Sequence, residues 1–187
     1  MSINRMDLAN GYWLSSLSAD DTLSLVAALA DGVVQRTTDN VPHPYTLEDA
    51  KWWVDHRAKR LEENKGIEVE FAIRAPDGTA VGSVGASGHI PGIGHKAEIG
   101  YWIATSHSRK GITTAALSRF VEYAFAELGL ERMFAKVYAS NIGSCRVLEK
   151  NGFLLEGRLR QHVLLAGKLE DDLVYGLLRV DWQQARG

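Results

Sequence analysis

Two periods of apolar residues organise this chain. Over residues 97–104 the side chains alternate, with Ala97, Ile99, Tyr101 and Ile103 on one face, which is the period of a strand. Beyond a polar turn at residues 108–111, Leu117, Phe120, Val121, Ala124, Phe125 and Leu128 recur at helical spacing. Upstream, Tyr12-Trp13-Leu14 reads as a first strand. Ser18 or Asp20 caps a helix through Leu23, Val26, Ala27 and Ala30 that ends near Gly32. Pro42 and Pro44 impose an extended loop. A second helix begins at Thr46-Leu47-Glu48-Asp49, with acidic residues where the helix dipole favours them, and ends near Lys65-Gly66.

From Ile67 the period becomes two, and Val69, Phe71 and Ile73 form a strand. Pro76-Asp77-Gly78 makes a turn in which Pro sets φ and Gly accepts a positive φ. A glycine-rich strand at residues 80–89 and a Pro91-Gly92-Ile93-Gly94 turn lead into the strand at 97–104. Three strands joined by tight turns predict an antiparallel meander. After the long helix come a strand at 132–138, a helix at 141–150, a turn at Asn151-Gly152, and closing strands at 153–165 and 169–179 joined by Ala166-Gly167-Lys168. The strands flanking the long helix are candidates for a parallel pair in a right-handed crossover. The pattern predicts one α/β (α+β) domain over residues 1–187, with a mixed, mostly antiparallel central sheet flanked by helices. A splayed cleft is expected between the strands at 97–104 and 132–138, because such points are where mixed sheets take ligands.

Composition narrows the function classes. A chain of 187 residues with formal net charge −2 fits one domain with a sizeable core and does not indicate a nucleic-acid surface. No apolar run approaches the roughly 20 residues that span a bilayer. The opening Met-Ser-Ile-Asn-Arg-Met-Asp has no apolar signal core. A single cysteine, Cys145, suits a reducing cytoplasm and reads as a packed thiol inside a helix.

The chemistry concentrates at Ser108-Arg109-Lys110-Gly111-Ile112-Thr113-Thr114. A strand feeding a Gly-bearing turn at a helix start is a ready anion cradle: the first amides of a helix lack intrahelical acceptors, and the dipole adds to their pull on phosphate. Gly111 admits a ligand close to the backbone, and Arg109 and Lys110 add charge. The competing reading is a surface loop with two solvated cations.

Three stretches together resemble the GNAT superfamily of acyltransferases, closest to its ribosomal-protein N-terminal acetyltransferase (RimJ/RimL-like) group. They are Ala97-Glu98-Ile99-Gly100-Tyr101-Trp102, the Arg109-Lys110-Gly111 turn, and Asn141-x-x-Ser144-x-x-x-Leu148-Glu149-Lys150-Asn151-Gly152-Phe153. Pro42-His43-Pro44-Tyr45-Thr46 and Asp172-Leu173-Val174-Tyr175 add to the resemblance. It implies a coenzyme A thioester, usually acetyl-CoA, as co-substrate, with its pyrophosphate on the amides of Arg109, Lys110, Gly111, Ile112, Thr113 and Thr114. Of the family's turn pattern only Gly111 fits strictly, since Ser108 and Thr113 replace its usual ends. An amide at Ile103 or Ala104 would face the thioester carbonyl, and Asn141 would hold the pantetheine arm while also capping its helix. Ser144 matches the serine proposed as general acid, against the plain reading of a first-turn serine bonding its own backbone.

Glu98 is the leading candidate base, on the expectation that a closing cleft desolvates it; the rival role is an ion pair with Lys96, Lys136 or an arginine. His162 is the alternative base, opening the closing hairpin where acceptors enter in this family. The RimL-like enzymes carry a glutamate in this segment, and the matching position here is Val163. His43, Tyr45, Trp52 and Trp53 are candidates to line the acceptor side, with the tryptophans equally readable as core and His43 as an exposed loop residue. Asp171-Asp172 either attracts a cationic amine or sits in a solvated turn. His89, His95 and His107 have no metal-ligand spacing, so no catalytic metal is expected. The expected function is an acetyl-CoA-dependent N-acetyltransferase acting on a protein N-terminal amine. A small-molecule or antibiotic-modifying enzyme, a succinyl-type acyltransferase and a non-catalytic acyl-CoA-binding module are the alternatives. The expected partners are the acyl-CoA and the amine, with no nucleic acid or membrane, and edge strands leave a homodimer open.

Overall fold

The computed structural model describes residues 5–38, 41–88, 94–165 and 167–186. The fold is α/β, with open and mostly antiparallel β-structure and helices packed on it. The chain forms two compact units, Met1–Gly85 with Gly100–Phe120, and Ala86–Ile99 with Val121–Gly187.

The first unit contains β1 (Met6–Asp7), β2 (Trp13–Ser15), α1 (Thr22–Leu29), α2 (Leu47–Glu63) and β3 (Glu70–Arg74). It also takes most of β4 (Ala80–Ser87), the end of β5 (Lys96–Ile103) and the start of α3 (Ile112–Ala126). Its strand order is β1-β2-β3-β4-β5, with antiparallel pairing from β1 through β4. Leu25 and Leu29 of α1, Ala50 and Val54 of α2, and Ala72 and Ala80 of the sheet bury one cluster with Val34 and Tyr45. Helix α2 starts where the sequence places it because Thr46 and Asp49 cap each other: Asp49 N–H donates to Thr46 Oγ1, and Thr46 N–H donates to Asp49 Oδ2. It ends through Lys65 and Gly66, both at positive φ.

The glycines of β4 have a steric cause. A Cβ on Gly82 would lie 2.5 Å from the carbonyl oxygen of Trp102, and one on Gly85 would lie 2.5 Å from Glu70 Cβ and 2.7 Å from its Cα. Backbone at Gly82, and the stem of Glu70 at Gly85, fill the space a side chain would need. Arg74 anchors the other end of this unit. Its guanidinium grips Asp21 through two bonds (2.6 and 2.8 Å) and also donates to Ser15 Oγ, Ser16 O and Gly78 O. Asp21 in turn accepts from the Ser18 amide. The two-residue β1 and a 3-10 turn at Val34–Thr37 are additions to the elements read from the sequence.

The second unit holds the start of β5, the end of α3, β6 (Arg132–Tyr138), α4 (Ile142–Lys150), β7 (Leu154–Leu165), β8 (Lys168–Leu178) and α5 (Arg179–Gln184). Its order is β5-β6-β8-β7. Strands β5 and β6 pair in parallel, Lys96 opposite Arg132 through Glu98 opposite Phe134, as the crossover reading requires, and the remaining pairs are antiparallel. Phe125, Met133, Leu148, Phe153, Tyr175 and Leu177 are buried. Helix α5 follows the last strand and adds to the elements read from the sequence: Trp182 packs on Phe125 at 5.2 Å, and Arg179 donates to the Leu130 carbonyl. Gly176 leaves room for the Glu156 carboxylate to reach Arg132, 2.7 Å to Nη1. His89, the Pro91-Gly92-Ile93 part of the predicted turn and Ala166 of the hairpin lie outside the described residues.

Two stability measurements follow from this packing. Gly82→Ala is expected to destabilise by about 2 kcal/mol, because the clash is with backbone that cannot rotate away; thermal unfolding reads it. Asp21→Asn is expected to cost about 3 kcal/mol at pH 7, since it leaves a largely buried guanidinium without its counter-charge. Burial pushes the Asp21 carboxyl up, but the hydrogen bonds from Arg74 and Ser18 outweigh it and hold the group below its ordinary value of 3.8. A lowered acid stabilises the fold above its unfolded pKa, and that contribution fades as pH falls through the folded one. The urea-denaturation gap between wild type and variant should be full at pH 7 and shrink below about pH 4.

Candidate active site

In the first unit, β5 ends at Ile103 and the chain turns through a short 3-10 segment, Thr105–His107. Ser108 Oγ donates to Thr105 O, and Lys110 Nζ donates to Ser106 O, both at 2.8 Å, so side chains brace the turn from within. Arg109 (φ 61°) and Gly111 (φ 78°) carry the left-handed bends that aim the chain into α3. Arginine adopts that conformation at a cost; glycine does so freely. A Cβ on Gly111 would meet nothing within 4 Å, so the ground beside this helix start is open. A compact anion can approach the backbone there, in keeping with the cradle expected from the sequence.

His107 ties the turn to the rest of the unit, its Nδ1 lying 2.8 Å from Tyr12 Oη. Burial, and then the charge of Lys110, push its imidazole below the usual histidine range. The amide of Ala104 donates to Val81 O at 2.8 Å. That edge pairing removes Ala104 from the role of a free amide facing a thioester and leaves Ile103 as the candidate.

The aromatic candidates separate. Trp53 packs against Trp102 at 6.1 Å beside the core, whereas Trp52 is exposed and stacks on His56 at 5.0 Å. His43 is exposed, with its ring against Gly32. Tyr45 is buried, its hydroxyl pushed up to about 12 by burial and then by the Asp49 charge. Sequence reasoning missed a polar cluster nearby: Arg57 bonds Glu68 (3.1 Å) and Glu70 (2.8 Å), and Glu70 accepts from Ser83 Oγ (2.7 Å).

In the second unit the base candidates diverge. The burial expected for Glu98 is absent: its side chain is 36% exposed, and Oε1 lies 3.6 Å from Lys136 Nζ, the ion pair named as its rival role. His162 is better placed. Strand β7 slips register between Leu159 and Val163, with Gln161 at φ 50° in the bulge. Asp171 holds that bulge by accepting from the Gln161 amide and from Arg158 Nε, both at 2.6 Å. The same two donors, the Gln161 amide first, hold the Asp171 carboxyl below its usual range. His162 Nδ1 then meets Asp172 Oδ2 at 2.8 Å. The imidazole is 46% exposed, while the carboxylate side chain is 5% exposed.

Asp171 and Asp172 are therefore not a solvated turn, and they do not act alike. One braces a bulge; the other is buried beneath a histidine. Arg158, Leu159, Arg160, Gln161, His162 and Asp171 line a surface depression around this pair.

Helix α4 begins at Ile142 because Asn141 caps it, Oδ1 accepting from Ser144 N at 3.1 Å. That cap uses the oxygen of Asn141; its NH₂ group supplies two further donors. Ser144 stands in the first turn, and Cys145 is buried behind it. Tyr175 donates to Glu149 at 3.1 Å, its hydroxyl pushed up by burial and then by Cys145 and Glu149. Among the described residues there is no cluster of three or more metal-binding side chains, and no helix is long and apolar enough to cross a membrane.

The sequence family described as the acetyltransferase (GNAT) domain matches residues 12–154. A probable N-acetyltransferase, YjcK of Bacillus subtilis (strain 168), is 36% identical over 172 residues, 91% of this chain and 94% of the relative. A putative ribosomal N-acetyltransferase of the same organism, YdaF, is 38% identical over 107 residues, 57% of this chain and 58% of the relative. Among solved structures, RimL, a ribosomal L7/L12 α-N-protein acetyltransferase in complex with coenzyme A, superposes with TM-score 0.81 at 21% identity. That match covers 94% of this chain and 98% of RimL, and it speaks for the fold alone.

Proposed function

The chain belongs to the GNAT acetyltransferase family and is an acetyl-CoA-dependent N-acetyltransferase; on that premise we propose that its acceptor is a protein N-terminal α-amine, and that His162 is the base. The whole chain acts as a single acetyltransferase domain in the cytoplasm. Transfer is direct, within a ternary complex. The observation that carries the base assignment is the 2.8 Å bond from His162 Nδ1 to the buried Asp172, which leaves the outer part of a half-exposed ring for a substrate.

An N-terminal amine arrives as an ammonium and must lose a proton before it can attack. His162 Nε2 takes that proton, directly or through one water. The nitrogen lone pair then forms a bond to the thioester carbonyl carbon, and the C–S bond breaks with its electron pair on sulfur. The nitrogen, cationic once it is bonded to carbon, sheds its second proton as the amide forms, and that proton is passed on to the leaving sulfur, with Ser144 Oγ as the hydrogen-bond donor that eases its departure. The Ile103 amide is the oxyanion donor, a role worth about 3 kcal/mol. The turn amides of Arg109, Lys110, Gly111, Ile112, Thr113 and Thr114 receive the pyrophosphate, with Arg109 and Lys110 adding charge. Asn141 holds the pantetheine arm.

The acceptor class rests on charge. The depression around His162 is lined by two arginines and one carboxylate, and that carboxylate is already bonded to Arg158. A polyamine would bring several positive charges to a lining whose one carboxylate is already paired, whereas a peptide N-terminus brings one. The ribosomal-type relative agrees with this choice.

Two variants test the assignment by following thiol release with peptides beginning in Ser or Ala and with spermidine. His162→Ala is expected to lower kcat about a hundredfold or more with little change in KM for acetyl-CoA. Full activity in this variant would overturn the base, and preference for spermidine over peptides would overturn the acceptor class. Gly111→Val places a β-branched side chain at φ 78° and into the cradle. Calorimetry should then show coenzyme A affinity falling by about tenfold or more, which corresponds to about 1.4 kcal/mol.

A further inference from the structure

The pairing of His162 with Asp172 assigns a role to the carboxylate itself. We infer that Asp172 is a positioning residue: it fixes the proton of neutral His162 on Nδ1 and so keeps the Nε2 lone pair turned toward the acceptor amine. This rests on the reading of His162 as base, and its test is chosen to fail separately from that reading.

Three observations carry it. Asp172 lies on β8, which is hydrogen-bonded on both sides, with Tyr138 of β6 opposite it on one flank and Leu159 of β7 on the other. A carboxylate in such an inner strand is costly unless something there needs it. Its hydrogen bonding is also lopsided: Oδ2 meets His162 at 2.8 Å, whereas the buried Oδ1 has no partner among the described residues. An aspartate placed only to hold the sheet together would be expected to have donors on both oxygens, as Asp171 next to it does from Arg158 and Gln161. Finally, the chain distorts to make this contact. The register break between Leu159 and Val163, with a non-glycine residue at positive φ, brings His162 to Asp172.

Neutral imidazole has one N–H and one lone pair, and a carboxylate only accepts. A carboxylate against Nδ1 therefore selects the form with Nδ1–H and a basic Nε2. An amide in its place can donate its NH₂ to Nδ1, and the proton then resides on Nε2, where it blocks proton uptake. A carboxylate behind a catalytic histidine holds the ring in just this way on unrelated folds.

Nitrogen-15 NMR of histidine-labelled wild-type protein at a pH where His162 is neutral reads the tautomer without any substitution at Asp172. The His162→Asn spectrum assigns the signals by their absence. The expected result is protonation at Nδ1; a predominantly Nε2–H signal would overturn the positioning role even if His162→Ala is inactive. Asp172→Asn is expected to move the signal to Nε2–H and to lower kcat by roughly a hundredfold or more. KM for acetyl-CoA and the unfolding temperature should stay near their wild-type values. Equal loss in kcat and in acetyl-CoA binding, or an unchanged tautomer in this variant, would show a structural role only and overturn the inference. An active His162→Ala enzyme would instead remove the base and leave the NMR result standing as a statement about the ring alone.

Discussion

A carboxylate taken out of water must find a donor, and this chain meets that requirement across strands rather than along them. Asp21 finds Arg74, Glu68 and Glu70 share Arg57, and Asp172 finds His162. The separations in sequence differ, 53 residues for Arg74 with Asp21, 11 for Arg57 with Glu68 and 10 for His162 with Asp172, but each pair is made by tertiary structure rather than within one element. Leaving one partner alone would cost several kcal/mol, a large share of the stability of an ordinary domain. These pairs therefore fix which residues may stand opposite one another. The first two serve the fold. The third leaves one member half in solvent.

Much of the fold was legible because local chemistry set the boundaries. Helix α2 was readable from Thr46 and Asp49, and α4 from Asn141, since capping is a short-range contract between a side chain and the amides that follow it. The glycine-rich run of β4 stood out in the sequence but its cause did not; the carbonyl of Trp102 and the stem of Glu70 supply it. The parallel pairing of β5 with β6 followed from a strand, a long helix and a strand in sequence. By contrast, β1 pairs through two residues and α5 spans only six, so neither offers a period long enough to detect.

Of the candidate site, the turn at Gly111 was legible in the sequence and the geometry around His162 was not. Gly111 could be singled out because a positive φ and an open approach are what glycine is for. His162 and Asp172 could each be noticed, yet nothing in residue type announces a bulge at Gln161, and without it strict alternation gives the wrong partners. Glu98 looked better from sequence because its strand was known and its exposure was not. Its contact with Lys136 depends on the parallel register between two strands, and no single stretch of sequence carries that.

Strand β7 is the outermost strand of its unit, twelve residues long and exposed along most of its length. A straight rim of that size would offer a row of open amides and carbonyls on which another polypeptide could crystallise strand by strand. The register breaks between Leu155 and Gly157 and between Leu159 and Val163 cut the row into runs too short for a straight newcomer to follow. The distortion that delivers a histidine to its carboxylate thus also guards the molecule against self-association of the amyloid kind.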